Sequence, residues 1–150
     1  MNKNKIVETL NDLIAKNYDS ENGYKEAAED VDSPALKTMF RDFATQRYNF
    51  GHDLKDAIRQ LGGTPEKGGT VGAAIHRAWI DLRSAIAGND ESAVLKEAIR
   101  GEENAINNYA EALNDMDGFD FGYQTVQRQH SQIQQAKSQL EQQLNVYTTA

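Results

Sequence analysis

The sequence predicts an all-α, single-domain protein over residues 1–150, folded as an antiparallel four-helix bundle with a long crossover that carries an extra helix. Three observations predict it. Apolar residues recur at steps of three and four through five segments, the period of one helix face. The Pro- and Gly-rich turns, such as Asp32-Ser33-Pro34 and Gly62-Gly63-Thr64-Pro65, fall between those segments. The second half of the chain also repeats the first.

The first helix spans about residues 4–31, with Ile6, Leu10, Leu13, Asn17, Glu21, Tyr24, Ala28 and Val31 on one stripe. Asp32-Ser33-Pro34 stops it and starts the next: Ser is a good N-cap, and Pro is tolerated in a first turn. The second helix spans 34–61, its stripe formed by Leu36, Phe40, Phe43, Arg47, Phe50, Leu54, Ala57 and Leu61. Gly62-Gly63-Thr64-Pro65 ends it. The chain is then a loop to Gly69.

Residues 70–87 read as a shorter helix with Val71, Ile75, Ala78, Leu82 and Ile86 on one face. Gly88-Asn89-Asp90 breaks it. A fourth helix spans 90–116 through Val94, Ala98, Ala105, Tyr109, Ala112 and Met116, and Gly118 and Gly122 bracket a turn. The last helix, 122–147, carries Val126, Ile133, Ala136, Leu140 and Leu144 and is rich in glutamine.

Tight turns make antiparallel hairpins of the first pair and of the last pair. Helices of about 26 residues are roughly 39 Å long. The segment between the pairs is long enough to travel back that distance, so the second and fourth long segments should run parallel. A fifth core helix in a simple up-down bundle is the other arrangement the segment allows. The repeat favours the crossover. Ile14, Asn22, Tyr24, Glu26, Ala27, Asp30 and Asp32 recur at one constant offset as Ile99, Asn107, Tyr109, Glu111, Ala112, Asp115 and Asp117. The last helix matches the second more weakly, with Leu54 on Leu140 and Ile58 on Leu144. Two related hairpins joined by one crossover is the ferritin-like organisation.

Composition narrows the function. A net charge of −7 argues against nucleic-acid binding, which needs a basic face. No cysteine is present, so thiolate chemistry and disulfides are excluded, in keeping with a cytoplasmic protein. The N-terminus lacks the apolar core of a signal peptide, and no run approaches a membrane span. No P-loop, nucleophile elbow or HExxH is present.

Ferritin-like di-iron bundles place a Glu on each of two helices and a Glu-x-x-His pair on each of the other two. A Tyr seven residues after the lone Glu serves as a ruler: Tyr109 points back to Glu102, and Tyr24 to Asn17. Asn17 lies about 14 residues, roughly 21 Å, before its turn. The same depth on the partner helices falls on Gln46-x-x-Asn49 and Gln132-x-x-Gln135. The six ligand slots then read Asn17, Gln46, Asn49, Glu102, Gln132 and Gln135, with one anion where four carboxylates and two imidazoles are usual. Neutral amides cannot offset two divalent ions, so neither a metal nor another cofactor is expected. The polar core is expected to comprise Asn17, Glu21, Tyr24, Arg47, Glu102 and Tyr109. Arg47 either pairs with Glu21 or Glu102 inside the bundle or extends outward at the stripe edge.

Should metal bind after all, iron or manganese would draw on Glu21, Glu102, His52 and His130. No acid-x-x-His pair exists, and His52 and His130 differ in depth by about eight residues, roughly 12 Å. They and His76 read as ordinary surface or core-edge histidines. Trp79 reads as packing its helix onto the bundle rather than holding a ligand. Glu26, Glu29, Asp30, Glu111 and Asp115 read as solvated faces. Tyr18, Tyr48 and Trp79 lie off the stripes and offer a surface for a second copy or another protein.

LNDLI, GYKEAAEDV, LGGTP, GAAIHRAWIDLRSAIAG and RGEENAINNYAEAL, over roughly residues 6–115, resemble an uncharacterised bacterial family, domain of unknown function 2383. The resemblance implies a bacterial cytoplasmic protein with a ferritin-like bundle. It implies no established activity. The expected function is therefore a non-enzymatic structural, stress-associated or protein-interaction module with a degenerate di-iron site. The alternative is an atypical di-metal oxidase or iron-handling protein.

Overall fold

The structure, a computed structural model, describes residues 2–66 and 73–149, without the side chains of 73–78, 148 and 149. The predicted loop beyond Glu66, the predicted helix start at 70–72, and the side chains of Ile75, His76 and Ala78 lie outside the described residues. All regular structure among the described residues is helical: α1 (Lys3–Asp30), α2 (Pro34–Gln60), α3 (Ala73–Ala87), α4 (Glu91–Asp115) and α5 (Tyr123–Thr149).

Local chemistry sets the helix ends. The Ser33 side chain accepts from the Leu36 amide at 3.3 Å, with Pro34 in the first turn of α2. Lys37 Nζ reaches back across the turn to the Ala28 and Glu29 carbonyls, at 3.1 and 3.2 Å, and satisfies the exposed end of α1. At the end of α2, the Gly62 amide bonds to Arg59 O (2.9 Å) and the Gly63 amide to Ile58 O (3.0 Å). That double bond pattern needs a left-handed residue after the cap, and Gly62 supplies it at φ +78°. Asp90 caps α4 by accepting from the Ala93 amide at 3.2 Å.

Side-chain pairings fix the helix directions. On α1 and α4, Asn17 meets Tyr109 and Tyr24 meets Glu102, so these helices are antiparallel. On α4 and α5, Tyr109 meets Gln129 and Glu103 meets Lys137, again antiparallel. On α2 and α5, Gln129 meets the Phe50 carbonyl and Arg128 meets Asp53 at 3.6 Å. Thus α2 and α4 point one way, and α1 and α5 the other. The shorter α3 runs with α1, since the Trp79 ring lies over Gly23 and Arg83 pairs with Glu26 at 3.1 Å.

Apolar side chains form two cores stacked along this axis. One, near the α1–α2 and α3–α4 turns, holds Val31, Leu36, Phe40, Leu82, Leu95 and Leu140. The other, toward the opposite end, holds Leu10, Leu13, Leu54, Ile58, Val126 and Ile133. Burial of such stripes is the main drive for helices that carry no unusual propensity of their own.

Candidate functional site

Between the two cores lies a layer of polar side chains. Asn17 and Glu21 come from α1, Arg47 from α2, Glu102 from α4 and Gln129 from α5, and all five are buried. Each sits on the stripe of its own helix. Local periodicity therefore turns these polar groups inward, where they must find partners or cost several kcal/mol apiece, ~2–7.

Glu102 is the anionic centre of the layer. The Arg47 guanidinium donates through Nη2 to one carboxylate oxygen, and the Tyr24 hydroxyl donates to the other. Arg47 and Glu102 are each 1% exposed, so the pair is held away from water, where Coulomb attraction is least screened. Burial works against the charge of Arg47, but the Glu102 carboxylate, with Tyr24 and Tyr109 adding to it, leaves its pKa raised. Burial, followed by the adjacent carboxylate, pushes the Tyr24 hydroxyl well up, and it stays protonated as the donor. The guanidinium also lies 5.8 Å from the centre of the Tyr24 ring.

A second network, without formal charge, fills the rest of the layer. Asn17 Nδ2 donates to Leu13 O at 2.8 Å and to the Tyr109 hydroxyl at 2.7 Å. The Tyr109 hydroxyl donates onward to Gln129 Oε1 at 2.7 Å, and Gln129 Nε2 donates to Phe50 O at 3.1 Å. Burial raises the pKa of the Tyr109 hydroxyl.

The structure separates the expected site residues into distinct groups. Asn17, Tyr24, Arg47, Glu102 and Tyr109 meet in the layer. Arg47 takes Glu102 rather than Glu21, and it does not extend to solvent. Glu21 is buried but binds Lys25 on its own helix at 2.8 Å. The expected register on the other two helices requires correction: Asn49 and Gln135 are exposed, and Gln46 and Gln132 are only half-buried. The inward positions are Arg47 and Gln129 instead. Depth counted from a turn is uncertain by a residue or more, and each residue of error rotates a side chain by about 100°. Gln129 was within reach of sequence reasoning, since it stands one turn before Ile133 on the α5 stripe. Asn11 was also missed. It pins the segment after α2, donating to Thr64 O at 3.3 Å and accepting from the Glu66 amide at 2.9 Å.

His52 is exposed, its ring 4.5 Å from that of Tyr48, and His130 is half-buried with Nε2 unpartnered among the described residues. No group of three or more His, Cys, Asp or Glu that could hold a metal ion occurs among the described residues. Glu26, Glu29, Asp30, Glu111 and Asp115 are exposed. Trp79 packs edge-on to Tyr24, ring centres 5.2 Å apart. Tyr18 is half-buried under Lys55 Nζ at 4.7 Å, and Tyr48 is exposed.

A cleft between α1 and α4, walled at one end by α3, opens onto the layer from outside. Lys16, Ser20, Trp79, Leu82, Ala98, Gly101, Asn104 and Asn108 line it, and Asn17, Tyr24, Arg47, Glu102 and Tyr109 form its floor. Its cavity volume is about 40 Å³.

A comparison with the curated proteins finds none that matches. A comparison with protein families finds one model, described as a domain of unknown function (DUF2383), that matches residues 5–115 and so takes in α1 to α4 with Asn17, Tyr24, Arg47, Glu102 and Tyr109. This chain, helical throughout its described regular structure and layered at mid-length by a buried ion pair, belongs to the DUF2383 family.

Proposed function

We propose that this chain is a ferritin-like bundle in which an internal cation, Arg47, stands where such bundles hold metal, and that it serves as a non-catalytic structural or protein-interaction module. The observation that carries the reading is the occupancy of Glu102: its two carboxylate oxygens are taken by Arg47 and Tyr24. A di-metal centre draws on several carboxylates and imidazoles. Here Glu102 is neutralised by a guanidinium, which cannot lose its charge at physiological pH, and the other buried carboxylate of the layer, Glu21, is paired with Lys25. The directions of α1, α2, α4 and α5, and the run of α3 beside α1, support the one-crossover topology.

The competing reading, an atypical di-metal oxidase or iron-handling protein using Glu21, Glu102, His52 and His130, draws no support from the geometry. Glu21 faces Lys25, and His52 lies outside the bundle. The reading also includes a cytoplasmic setting, which the lack of cysteine fits. No helix among the described residues is long and apolar enough to cross a membrane. A second copy or another protein is the proposed partner, met through exposed aromatics such as Tyr48 and Phe119.

The test is metal analysis of the full chain, expressed with added iron and manganese and purified without chelator. The expected result is far less than one metal per chain and no rise in melting temperature on adding either ion, because a ligand specific to the folded state must raise it. One equivalent or more of either metal overturns the reading. Sedimentation at high concentration tests self-association separately.

A further inference from the structure

We propose that the α1–α4 cleft is a binding site for a small uncharged organic molecule with a flat apolar body and a hydroxyl or N–H donor. The proposal goes beyond the structural role argued above and does not depend on it.

Four observations carry it. First, the cleft reaches a polar side chain of the layer with spare accepting capacity. Asn17 is 3% exposed and spends its amide hydrogens on Leu13 O and Tyr109. Among the described residues nothing donates to its Oδ1, while the side chain lines the cleft. That oxygen is an acceptor open to the cleft, and a ligand hydroxyl or N–H would fill it.

Second, the walls are largely apolar. Trp79, Leu82, Ala98 and Ala105 line them, beside a smaller polar share from Ser20, Asn104, Asn108 and the charged groups taken next, the usual make-up of a small-molecule pocket.

Third, the charges at the cleft already have partners. Lys16 pairs with Asp12 at 2.8 Å, Arg47 with Glu102, and Glu97 lies 3.2 Å from Arg100 as a charge contact without aligned hydrogen-bond geometry. A charged ligand would lose its hydration and find no uncompensated counter-charge. The occupant is therefore neutral.

Fourth, Gly101 stands in mid-helix on the cleft wall, and a Cβ there would meet nothing within 4 Å among the described residues. Packing within the described chain does not require glycine, although glycine is a poor residue for a helix interior. Its absent side chain leaves the mouth open above a cavity of about 40 Å³. That volume seats a headgroup of a few atoms, while the body of the ligand lies along Trp79.

Trp79 is the only tryptophan of the chain, so its indole N–H is a single, assigned NMR signal on the cleft wall. The experiment titrates the full chain with benzyl alcohol, benzoate and benzylammonium, three probes that share a ring and differ in headgroup charge. The expected result is a saturable shift of the Trp79 signal with benzyl alcohol, with benzoate and benzylammonium at least tenfold weaker. Gly101→Leu should abolish the shift and leave the melting temperature unchanged or higher. Ser20→Leu, which closes the cleft from α1, should do the same and serves if Gly101→Leu does not fold. A missing or non-saturable shift, a shift retained in the plugged variant, or a charged probe binding as tightly as benzyl alcohol overturns the proposal. None of these outcomes bears on metal content, so the two proposals fail separately.

Discussion

Tyr24 and Tyr109 occupy equivalent places in the internal repeat and make the same reach in opposite directions. Tyr24, on α1, bonds Glu102 on α4, and Tyr109, on α4, bonds Asn17 on α1. Since Asn17 and Glu102 are themselves repeat equivalents, the two contacts exchange into one another, as in a two-fold interface. The halves differ in charge. The carboxylate has Arg47 beside it, whereas the position on α5 equivalent to Arg47 is Ile133, apolar and fully buried. The buried cation and the anion it faces therefore sit together around Glu102, and the equivalent position beside Asn17 holds neither.

The neutral half should be sensitive to a single oxygen. Tyr109→Phe removes the hydroxyl that accepts from Asn17 and donates to Gln129, and leaves two buried amides short of a partner. The expected loss is about 1–3 kcal/mol by urea unfolding. A loss within error of zero would show that water replaces the hydroxyl.

Breaking the charged half should cost more. Arg47→Met or Glu102→Leu alone leaves one buried charge without its partner, with an expected loss of about 3–5 kcal/mol. The double replacement Arg47→Met with Glu102→Leu removes both charges and should lie closer to the parent than either single variant. Equilibrium unfolding of all four proteins measures this, and strict additivity would contradict it.

The pH dependence should show Asp19. Burial raises its pKa from 3.8 to about 6, and its Oδ2 has no hydrogen-bond partner among the described residues. Between those values the folded state binds more protons than the unfolded one, so stability falls as pH rises from about 4 to about 6. The penalty is absent below the lower value and complete above the upper. Asp19→Asn should flatten that fall and raise the melting temperature at pH 7 but not at pH 3.5, as thermal scans at the two pH values would show.

Two helix-interior glycines should respond with opposite signs. A Cβ at Gly23 would sit 2.3 Å from the Trp79 ring, so Gly23→Ala must displace the indole, at an expected cost of about 1–3 kcal/mol and with a changed fluorescence spectrum. At Gly101 the added methyl meets open space, and Gly101→Ala should stabilise by about 0.5–1 kcal/mol through backbone entropy alone. Equal signs for the two variants would sink the argument.

Much of the helical organisation was legible in the sequence because helix formation and capping depend on neighbours. The predicted segments 4–31, 34–61, 90–116 and 122–147 agree with α1, α2, α4 and α5 to within two residues at each end. Ser33-Pro34 and Gly62-Gly63 marked their turns by chemistry that acts over a few residues. The candidate site was legible only in part. On α1 and α4, Tyr24, Tyr109 and the repeat gave two independent rulers, and both indicated Asn17 and Glu102. On α2 and α5 the slots rested on a depth count and the weaker repeat match, which selected Gln46 and Gln132, half-buried, with Asn49 and Gln135, which face solvent.

The sequence by itself determined which residues form helices, where those helices stop, and that their stripes carry polar groups into the interior, because each of these follows from spacing along one chain segment. The tertiary structure alone decided that Arg47 meets Glu102 rather than Glu21, that Gln129 completes the Tyr109 network, and that Asn49 and Gln135 are left outside. Such pairings depend on how helices from distant parts of the chain rotate and slide against one another. A one-residue shift in that fit turns a side chain through more than a quarter of a circle, and that rotation arises only when the stripes of all the helices pack together.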